Sequence, residues 1–397
     1  MIKMVRTLPE NWKIKKLGEI CDIAYGKGLQ LKELKKNGFP VFGANGIIGF
    51  NEKYLFEEEQ VLISCRGAAS GKINISPPKC FITNNSLVIT VKQKKEIDKK
   101  YLFYALQVTD KKKLITGTAQ PQVTINNAVE LEIRYPDIEL QKYIVSKIEE
   151  LFNELDQGIE KIQSARQKLK TYRHAVLKWA FEGKLTYCDV TEGELPNEWK
   201  WVKMGELMES VRNGYSRKPD EAGIFKILRI SSVRPNKVNI DDFRYLKTEI
   251  GLENSLCEND LLFTRYNGSI DFVGVCGRVP KLNEKLFYPD KLIRCRPKLK
   301  IWFHSAYIDY AVNSRLSRQY VLSKIKTTAG QTGISGSDVK EIPIPLAPIK
   351  DQLDIVLAIE NRLSVADKME ENITQSLQQT EMLRQSILKK AFEGKIQ

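Results

Sequence analysis

The sequence of 397 residues contains an internal repeat, which constrains the fold of a chain more strongly than its composition does. Segment 8–20 returns 187 positions later as segment 195–207, with seven of thirteen residues identical. A second pair of segments, ending in Ala-Phe-Glu-Gly-Lys at 180–184 and 391–395, is 211 positions apart. The order along the chain is therefore A, B, A′, B′, and A′ is longer than A by 24 residues.

Segments B and B′ have the pattern of long helices. Apolar residues fall seven apart from Ile148 to Val176 in B, and the equivalent row in B′ runs from Ile359 to Ile387, which is typical of a coiled-coil seam. Gly183 and Gly394 follow Phe-Glu, where a left-handed cap commonly ends a helix. The sequence therefore predicts two rods, each about 65 Å long at ~1.5 Å per residue.

Segments A and A′ carry short β-rich runs between glycine-bearing turns, with a helical stretch near residues 100–107. Each is expected to form an α+β domain. The expected organisation is a first globular domain at 1–135, a helix at 136–185, a second globular domain at 186–346 and a C-terminal helix at 347–397.

The positive charge of the chain is concentrated in the globular segments. The chain has 63 basic and 49 acidic residues, a formal charge of +14, which suggests a polyanionic partner. Residues 1–135 hold 22 basic and 13 acidic residues, and residues 186–346 hold 25 and 20. The two helical segments hold 9 against 8 and 7 against 8, so the surplus belongs to the globular domains.

Several function classes are disfavoured by composition. Residues 1–12 lack the apolar core of a signal peptide, and no apolar run is long enough to cross a membrane, so a cytoplasmic protein is expected. The seven cysteines are scattered without a Cys-x-x-Cys pair, which favours free thiols. With only His174 and His304, a histidine-rich metal site is excluded.

A set of motifs makes the chain resemble the specificity subunits of type I restriction-modification enzymes over essentially its full length. The motifs are the repeated openings Leu-Pro-x-x-Trp-Lys-x-x-Lys-x-Gly-Glu, the segments 39–46, 48–49, 262–269 and 330–335, and the paired Ala-Phe-Glu-Gly-Lys endings. The resemblance implies two target-recognition domains that each read one half of a split DNA site, joined by two long antiparallel coiled-coil helices with pseudo-two-fold symmetry.

The same resemblance implies the partners. Two methyltransferase subunits would dock on the helices and bring S-adenosylmethionine, and restriction-translocase subunits would join that core. No catalytic residue, metal or cofactor is then expected on this chain. Unequal domains imply an asymmetric bipartite site, and the helices would fix its spacing.

Base readout needs Arg, Lys, Asn and Gln side chains at base edges, whereas phosphate contacts need only charge and backbone donors. In the first domain the favoured DNA contacts are Asn45, Arg66, Lys72, Asn84, Asn85, Gln120 and Gln122. In the second they are Arg217, Lys218, Arg229, Arg265, Asn267 and Gln331. The competing interpretation for each of them is that the residue forms a turn or is a solvated charge. On the helices, Ile162 and Ile373 are the expected partner-docking residues.

Other functions stay open at this point. A recognition subunit of a type IIB-like enzyme, a self-contained DNA methyltransferase or nuclease, and a coiled-coil scaffold all remain alternatives. Two enzymatic resemblances fail in detail. Segment 67–73 imitates a phosphate loop, but it is one residue short and Ile73 stands where Ser or Thr is required. Segment 76–79 lacks the amide and the aromatic ring of the adenine-methyltransferase motif Asn-Pro-Pro-aromatic.

Overall fold

The computed structural model describes residues 11–111, 114–116, 121–187, 190, 194–247, 251–328 and 331–395. The chain divides into two compact units, Met1–Gln163 with Thr374–Gln397, and Ser164–Ile373. Each unit contains one globular α+β part and a portion of each of two long helices.

The first unit contains the following elements in chain order. They are β1 Lys13–Lys16, α1 Leu17–Ile20, β2 Cys21–Tyr25, β3 Phe39–Phe42, β4 Ile47–Asn51, β5 Val61–Ser64, β6 Ile73–Ile75, β7 Phe81–Ile82, β8 Ser86–Val91, α2 Lys99–Val108, β9 Ile115–Thr116, β10 Gln122–Val123, α3 Ile125–Val129, β11 Glu132–Tyr135 and the start of α4 Ile138–Phe181. The end of the last helix completes this unit.

The second unit repeats that order with additions. Its elements are β12 Lys200–Lys203, α5 Met204–Leu207, β13 Met208–Asn213, β14 Phe225–Leu228, β15 Val233–Arg234, β16 Lys237–Val238, β17 Phe243–Leu246, β18 Leu261–Thr264, β19 Tyr266–Asn267, β20 Cys276–Arg278, β21 Leu286–Phe287, β22 Leu292–Pro297, α6 Trp302–Asn313, α7 Arg315–Lys324, β23 Lys326–Thr328, β24 Gln331–Gly333, α8 Gly336–Lys340, β25 Pro343–Leu346 and α9 Ile349–Phe392.

The two units share one sheet topology. A four-stranded antiparallel sheet has the order β2-β8-β5-β6 in the first unit and β13-β22-β18-β20 in the second. A three-stranded sheet with one parallel pair has the order β4-β3-β7 and β17-β14-β21. Among the described elements, the hairpin β15–β16 and helix α7 have no counterpart in the first unit, and they contribute to the greater length of A′.

The central strands β5, β8 and β18 are mostly apolar because both of their faces are covered. In the first unit, alternate residues of β5 and β8 belong to two cores. Val61 and Ile63 pack in the core that contains α2, whereas Leu62 packs with Phe42 and Ile82 of the three-stranded sheet. In the second unit, residues of β18 likewise alternate between two cores, with Leu261 and Phe263 in one and Leu262 in the other. A strand buried on both faces reads as a continuous apolar run, as these do.

Within each unit the segments of α4 and α9 pack together in antiparallel directions. In the second unit Arg166 Nε lies 2.7 Å from Glu370 Oε1, and Arg173 Nη2 lies 2.6 Å from Asp367 Oδ1. From one pair to the next, the residue number rises in α4 and falls in α9, so the two helices run antiparallel. In the first unit Asp156 pairs with Arg384. The expectation of two long antiparallel helices is confirmed.

The ion pairs on the helices follow the sequence repeat. Asp367 lies 211 positions after Asp156, and Arg384 lies 211 positions after Arg173. The same Arg–Asp pair therefore occurs once in each unit. The helix ends also match the prediction, because Gly183 and Gly394 have φ values of +77° and +71°.

A buried glutamine joins the start of each helix to its own domain. Gln141 Nε2 donates to the carbonyl oxygens of Glu96 and Pro136, both at 2.9 Å, and its Oε1 accepts from Asp98 N at 2.9 Å. Gln352 Nε2 donates to Ala347 O at 2.8 Å, and its Oε1 lies 2.7 Å from His304 Nδ1. These glutamines are the 211-residue equivalents of each other.

Candidate nucleic-acid interface

Loops that follow strands β3, β5 and β7 come together in the first unit. Cys65 N donates to Asn85 O at 2.9 Å, and Val123 N donates to Cys65 O at 3.0 Å. Ser86 Oγ donates to Gly43 O at 2.9 Å. Together with residue 27 and residues 121–123, which bond to them, these loops, residues 43–46, 65–72 and 84–85, are called the first loop cluster.

The first loop cluster brings together six of the seven residues expected to contact DNA there, namely Asn45, Arg66, Lys72, Asn84, Asn85 and Gln122. Lys72 Nζ donates to Asn45 Oδ1 at 2.6 Å, so these two side chains are held side by side. The side chains of Arg66 and Gln122 are exposed, and those of Asn84 and Asn85 are half-buried. Gln120 lies outside the described residues.

The glycines of this cluster serve the turns. Gly67 and Gly71 have φ values of +75° and +82°, in the left-handed region that favours glycine. Residues Gly67–Ala69 form a 3-10 turn, and the chain then enters strand β6. A phosphate loop leads into a helix instead, so the geometry agrees with rejecting nucleotide binding at this segment.

The second unit builds an equivalent cluster from a different sequence. Arg265 occupies the place of Cys65, because Arg265 N donates to Lys291 O at 2.8 Å and Ile334 N donates to Arg265 O at 2.9 Å. We call residues 215–218, 265–269, 289–291 and 331–334 the second loop cluster. Tyr215 joins it through hydrogen bonds with Tyr288 O and Asp290 N, both at 2.9 Å. The exposed Arg217 and Lys218 follow two and three residues after Tyr215.

Arg265 is held in a defined position. Its guanidinium carbon lies 4.8 Å from the centre of the Tyr266 ring, and Nη1 donates to Asp290 O at 3.4 Å. Its Nε is buried without a hydrogen-bond partner among the described residues. Asn267 Oδ1 accepts from Ser269 N at 3.1 Å, which turns the loop after β19. A guanidinium held in one orientation is suited to contact an anion or a base edge.

Two further predicted contacts in the second unit have other surroundings. Arg229 follows β14 and lies 3.4 Å from Asp242, so an ion pair partly neutralises its charge. Gln331 is the first residue of β24, where its backbone pairs with Thr328, and its side chain lies outside what the structure describes.

Lys27 and Lys291 belong to the two clusters although they were not among the predicted contacts. Lys27 N donates to Ile82 O at 2.9 Å and Lys27 O accepts from Asn84 N at 3.1 Å, and both lysine side chains are exposed. The sequence feature that could have indicated these segments is a glycine that occurs at the equivalent position of both units. A Cβ on Gly26 would lie 2.3 Å from Thr83 O, and one on Gly214 would lie 2.3 Å from Tyr288 O, so only glycine permits this close approach in either unit.

On the helices, the predicted docking residues Ile162 and Ile373 are half-buried. Other apolar side chains on the helices are more exposed. Trp179 is 54% exposed, Met369 51% and Met382 63%. The heptad pattern identified the buried seam, and it did not identify these outward-facing residues.

Groups suited to catalysis or metal binding are scarce among the described residues. No group of three or more His, Cys, Asp and Glu residues is arranged to hold a metal ion in the described ranges. Burial raises the pKa of the Cys21 thiol to about 12 and that of Cys80 to about 11, so both thiols stay protonated in the core. Burial also raises the pKa of Asp309 to about 7. No helix within the described part of the chain is long and apolar enough to cross a membrane.

Comparison with known protein families gives two matched stretches. Residues 9–164 and 196–379 match the family model described as the type I restriction modification DNA specificity domain. The specificity subunit of the type I restriction enzyme EcoKI from Escherichia coli (strain K12) is 39% identical over 270 residues, which are 67% of this chain and 58% of that protein. The EcoBI specificity subunit from Escherichia coli is 22% identical over 428 residues, covering 98% and 87%.

The chain spans 58% of the length of the EcoKI subunit and of the StySPI specificity subunit from Salmonella potsdam. Among solved structures, one from a study of complex assembly and conformational transition of the type I R-M system matches at a TM-score of 0.67, with 17% identity and coverage of 98% and 99%. The HsdS subunit from Thermoanaerobacter tengcongensis matches at 0.51, with 17% identity and full coverage of both chains. At these sequence identities, the similarity to the two solved structures shows a common fold only.

Proposed function

We propose that this chain, which belongs to the family of type I restriction modification DNA specificity domains, is the non-catalytic component that selects the DNA sequence for a type I restriction-modification complex. Each globular part reads one half of an asymmetric bipartite site. The observation that carries the proposal is the recurrence of one loop cluster in two units of different sequence. A repeated scaffold with different loop residues is suited to read two different sequences by the same geometry.

The chemistry of the clusters supports DNA as the ligand. The first loop cluster combines exposed cations, Arg66 and Lys72, with the amides of Asn45 and Gln122. Cations contribute phosphate contacts, while amides and guanidinium groups recognise base edges in the major groove. The surplus of positive charge in the globular segments supplies the long-range attraction.

The domain boundaries and partners form part of the same proposal. Residues 1–135 and 186–346 are the recognition domains, and the helices within 136–185 and 347–397 set the distance between half-sites. Two methyltransferase subunits dock on the helices around Ile162 and Ile373 and carry S-adenosylmethionine, and restriction-translocase subunits join that core. Because its ligand is DNA, the chain works in the cytoplasm. A type IIB-like recognition subunit is the nearest alternative.

The test is to express the chain with its methyltransferase and map the modified bases across a genome. Arg66→Ala and Lys72→Ala should each weaken binding to the mapped site by about tenfold, which corresponds to a loss of roughly 1.4 kcal/mol of binding free energy. Lys79→Ala is the matched control, because Lys79 is an exposed lysine of the same unit whose partner is Glu57 at 3.6 Å. It should bind as the native chain does.

A domain exchange tests the modular part of the proposal. Replacing residues 186–346 with the corresponding domain of a relative should change one half of the mapped site and leave the other unchanged. A change in both halves contradicts independent recognition. Methyl transfer from S-adenosylmethionine to DNA by the purified chain alone would contradict the non-catalytic role.

A further inference from the structure

Two adjacent isoleucines are exposed at the tip of the hairpin formed by β3 and β4. Ile47 is 55% exposed and Ile48 is 49% exposed. In a regular strand successive side chains point to opposite faces. Here the register shifts between Val41 and Phe42, which face Gly49 and Ile47, so Ile48 is the extra residue of a β-bulge. A bulge re-aims side chains and commonly occurs beside functional sites.

The tip that carries these isoleucines is fixed to the first loop cluster. Gly43 N donates to Gly46 O at 2.8 Å, which closes the turn, and Gly43 O accepts from Ser86 Oγ at 2.9 Å. Ser64 Oγ donates to Ala44 O. Asn45, which precedes the isoleucines by two residues, accepts from Lys72. Two strands, β5 and β8, and the loop before β6 therefore hold the tip, and its apolar side chains are presented in a defined position.

The surroundings of the tip favour a polyanion as its occupant. Lys27, Arg66 and Lys72 are exposed in the same cluster, and none of the three forms an ion pair with a carboxylate of the described residues. An apolar pair in a loop cluster that also carries exposed cations fits a ligand that combines phosphates with a small apolar group. In duplex DNA the C5-methyl group of thymine is that group, and it is accessible in the major groove, which admits a two-stranded β-ribbon.

We propose that Ile47 and Ile48 contact the C5-methyl group of a thymine in the major groove, and so specify thymine at one position of the half-site read by the first unit. The inference rests on the proposed function and deepens it.

The second unit has a different arrangement at the same topological position. β14 pairs with β17 from Phe225–Leu246 to Leu228–Phe243 without a register shift. The loop that follows begins with Arg229 and its partner Asp242, where the first unit has the Gly43 turn. The apolar contact is therefore a property of one half-site, in agreement with an asymmetric site.

The test uses the complex of this chain with its methyltransferase. Mapping of modified bases gives the bipartite site, and the domain exchange of residues 186–346 identifies the half-site that belongs to the first unit. Each thymine of that half-site is then replaced in turn by deoxyuridine, which lacks only the methyl group. One replacement should weaken binding of the native complex about fourfold, the effect of one buried methyl-sized group.

The variants locate that effect. Ile47→Ser or Ile48→Ser should bind thymine and deoxyuridine duplexes equally, while Ile47→Val, which stays apolar and β-branched, should keep a preference for thymine. Ile14→Ser is the control, because Ile14 is 44% exposed in the same unit on strand β1, outside the loop cluster. The thermal midpoint of each variant verifies that it is folded.

Three results would overturn the inference. They are a first half-site without thymine, an equal deoxyuridine effect in the native and serine variants, and a loss of methyltransferase binding in the serine variants with unchanged DNA preference. Failure of the proposed function is distinguishable, because then no bipartite modified site would be found with any variant, and the inference would fail with it.

Discussion

Gln141 is fully buried at the first turn of α4, and its removal is the perturbation whose cost is most directly set by the structure. The amide makes three hydrogen bonds, two to carbonyl oxygens and one from the N–H of Asp98. Asp98 in turn caps α2, since its Oδ1 accepts from Tyr101 N at 2.9 Å. Gln141 thus couples the start of the long helix to the domain that it carries.

The variant Gln141→Leu keeps a side chain of similar size and high helix propensity, and it leaves one buried and two partly buried backbone groups without their partner. At roughly 1 kcal/mol for each lost hydrogen bond, the expected loss is about 3 kcal/mol. For a unit of about 190 residues, each kcal/mol lowers the thermal midpoint by ~2–4 °C. The expected decrease is therefore about 6–12 °C for the transition of the first unit.

The assay is calorimetric unfolding of the full chain, with Gln157→Leu as the matched control. Gln157 lies on the same helix in the same unit and is exposed, so its replacement should change the midpoint by less than about 2 °C. Equal midpoints for the two variants would refute the idea that the buried amide anchors the helix. A large decrease for both would show that the effect is not specific to the buried amide, and it would equally contradict the anchoring role.

Three further predictions concern the two long helices and a buried carboxyl group of the second unit. Asp156→Arg and Arg384→Asp should each lower the free energy of unfolding, by no more than about 1 kcal/mol because the pair is partly exposed, and the double exchange should restore it. Additive losses in the double variant would contradict pairing. The folded-state pKa of Asp309, about 7, lies above its ordinary value of 3.8, so the native state holds that proton more tightly and stability is lost as pH rises from about 4 to 7. Asp309→Asn should remove this decrease between pH 5 and 8 in calorimetric scans, and an unchanged pH profile would contradict it. Four residues inserted after Ala165 add ~6 Å and nearly complete a turn, so mapped sites should keep both half-sites with a spacer longer by about one or two base pairs, whereas an unchanged spacer would exclude the helix as the ruler.

The sequence alone determined the organisation of the molecule. Its repeat offsets of 187 and 211 predicted two equivalent α+β parts and two equal helices, and the heptad rows and capping glycines located the helix ends. These features are local or periodic. Helix periodicity and left-handed glycine caps depend on residues within a few positions of each other, so they can be recognised without knowledge of long-range contacts.

Motif reasoning also identified most residues of the first loop cluster, because Asn, Gln and Arg beside glycine turns are recognisable in the sequence. It did not identify Lys27, since that residue joins the cluster only through backbone bonds to Ile82 and Asn84. In the second unit it included Arg229, which the structure places in an ion pair with Asp242.

What only the tertiary structure decided is which side chains share a surface. Arg265 takes the place of Cys65 although the two sequences differ there, and a single extra residue in β4 exposes both Ile47 and Ile48. The outward exposure of Trp179 and Met382 likewise depends on which side of each helix is covered. The physical reason is that strand register and helix packing are set by contacts between residues far apart in sequence, and a shift of one residue moves a side chain to the opposite face.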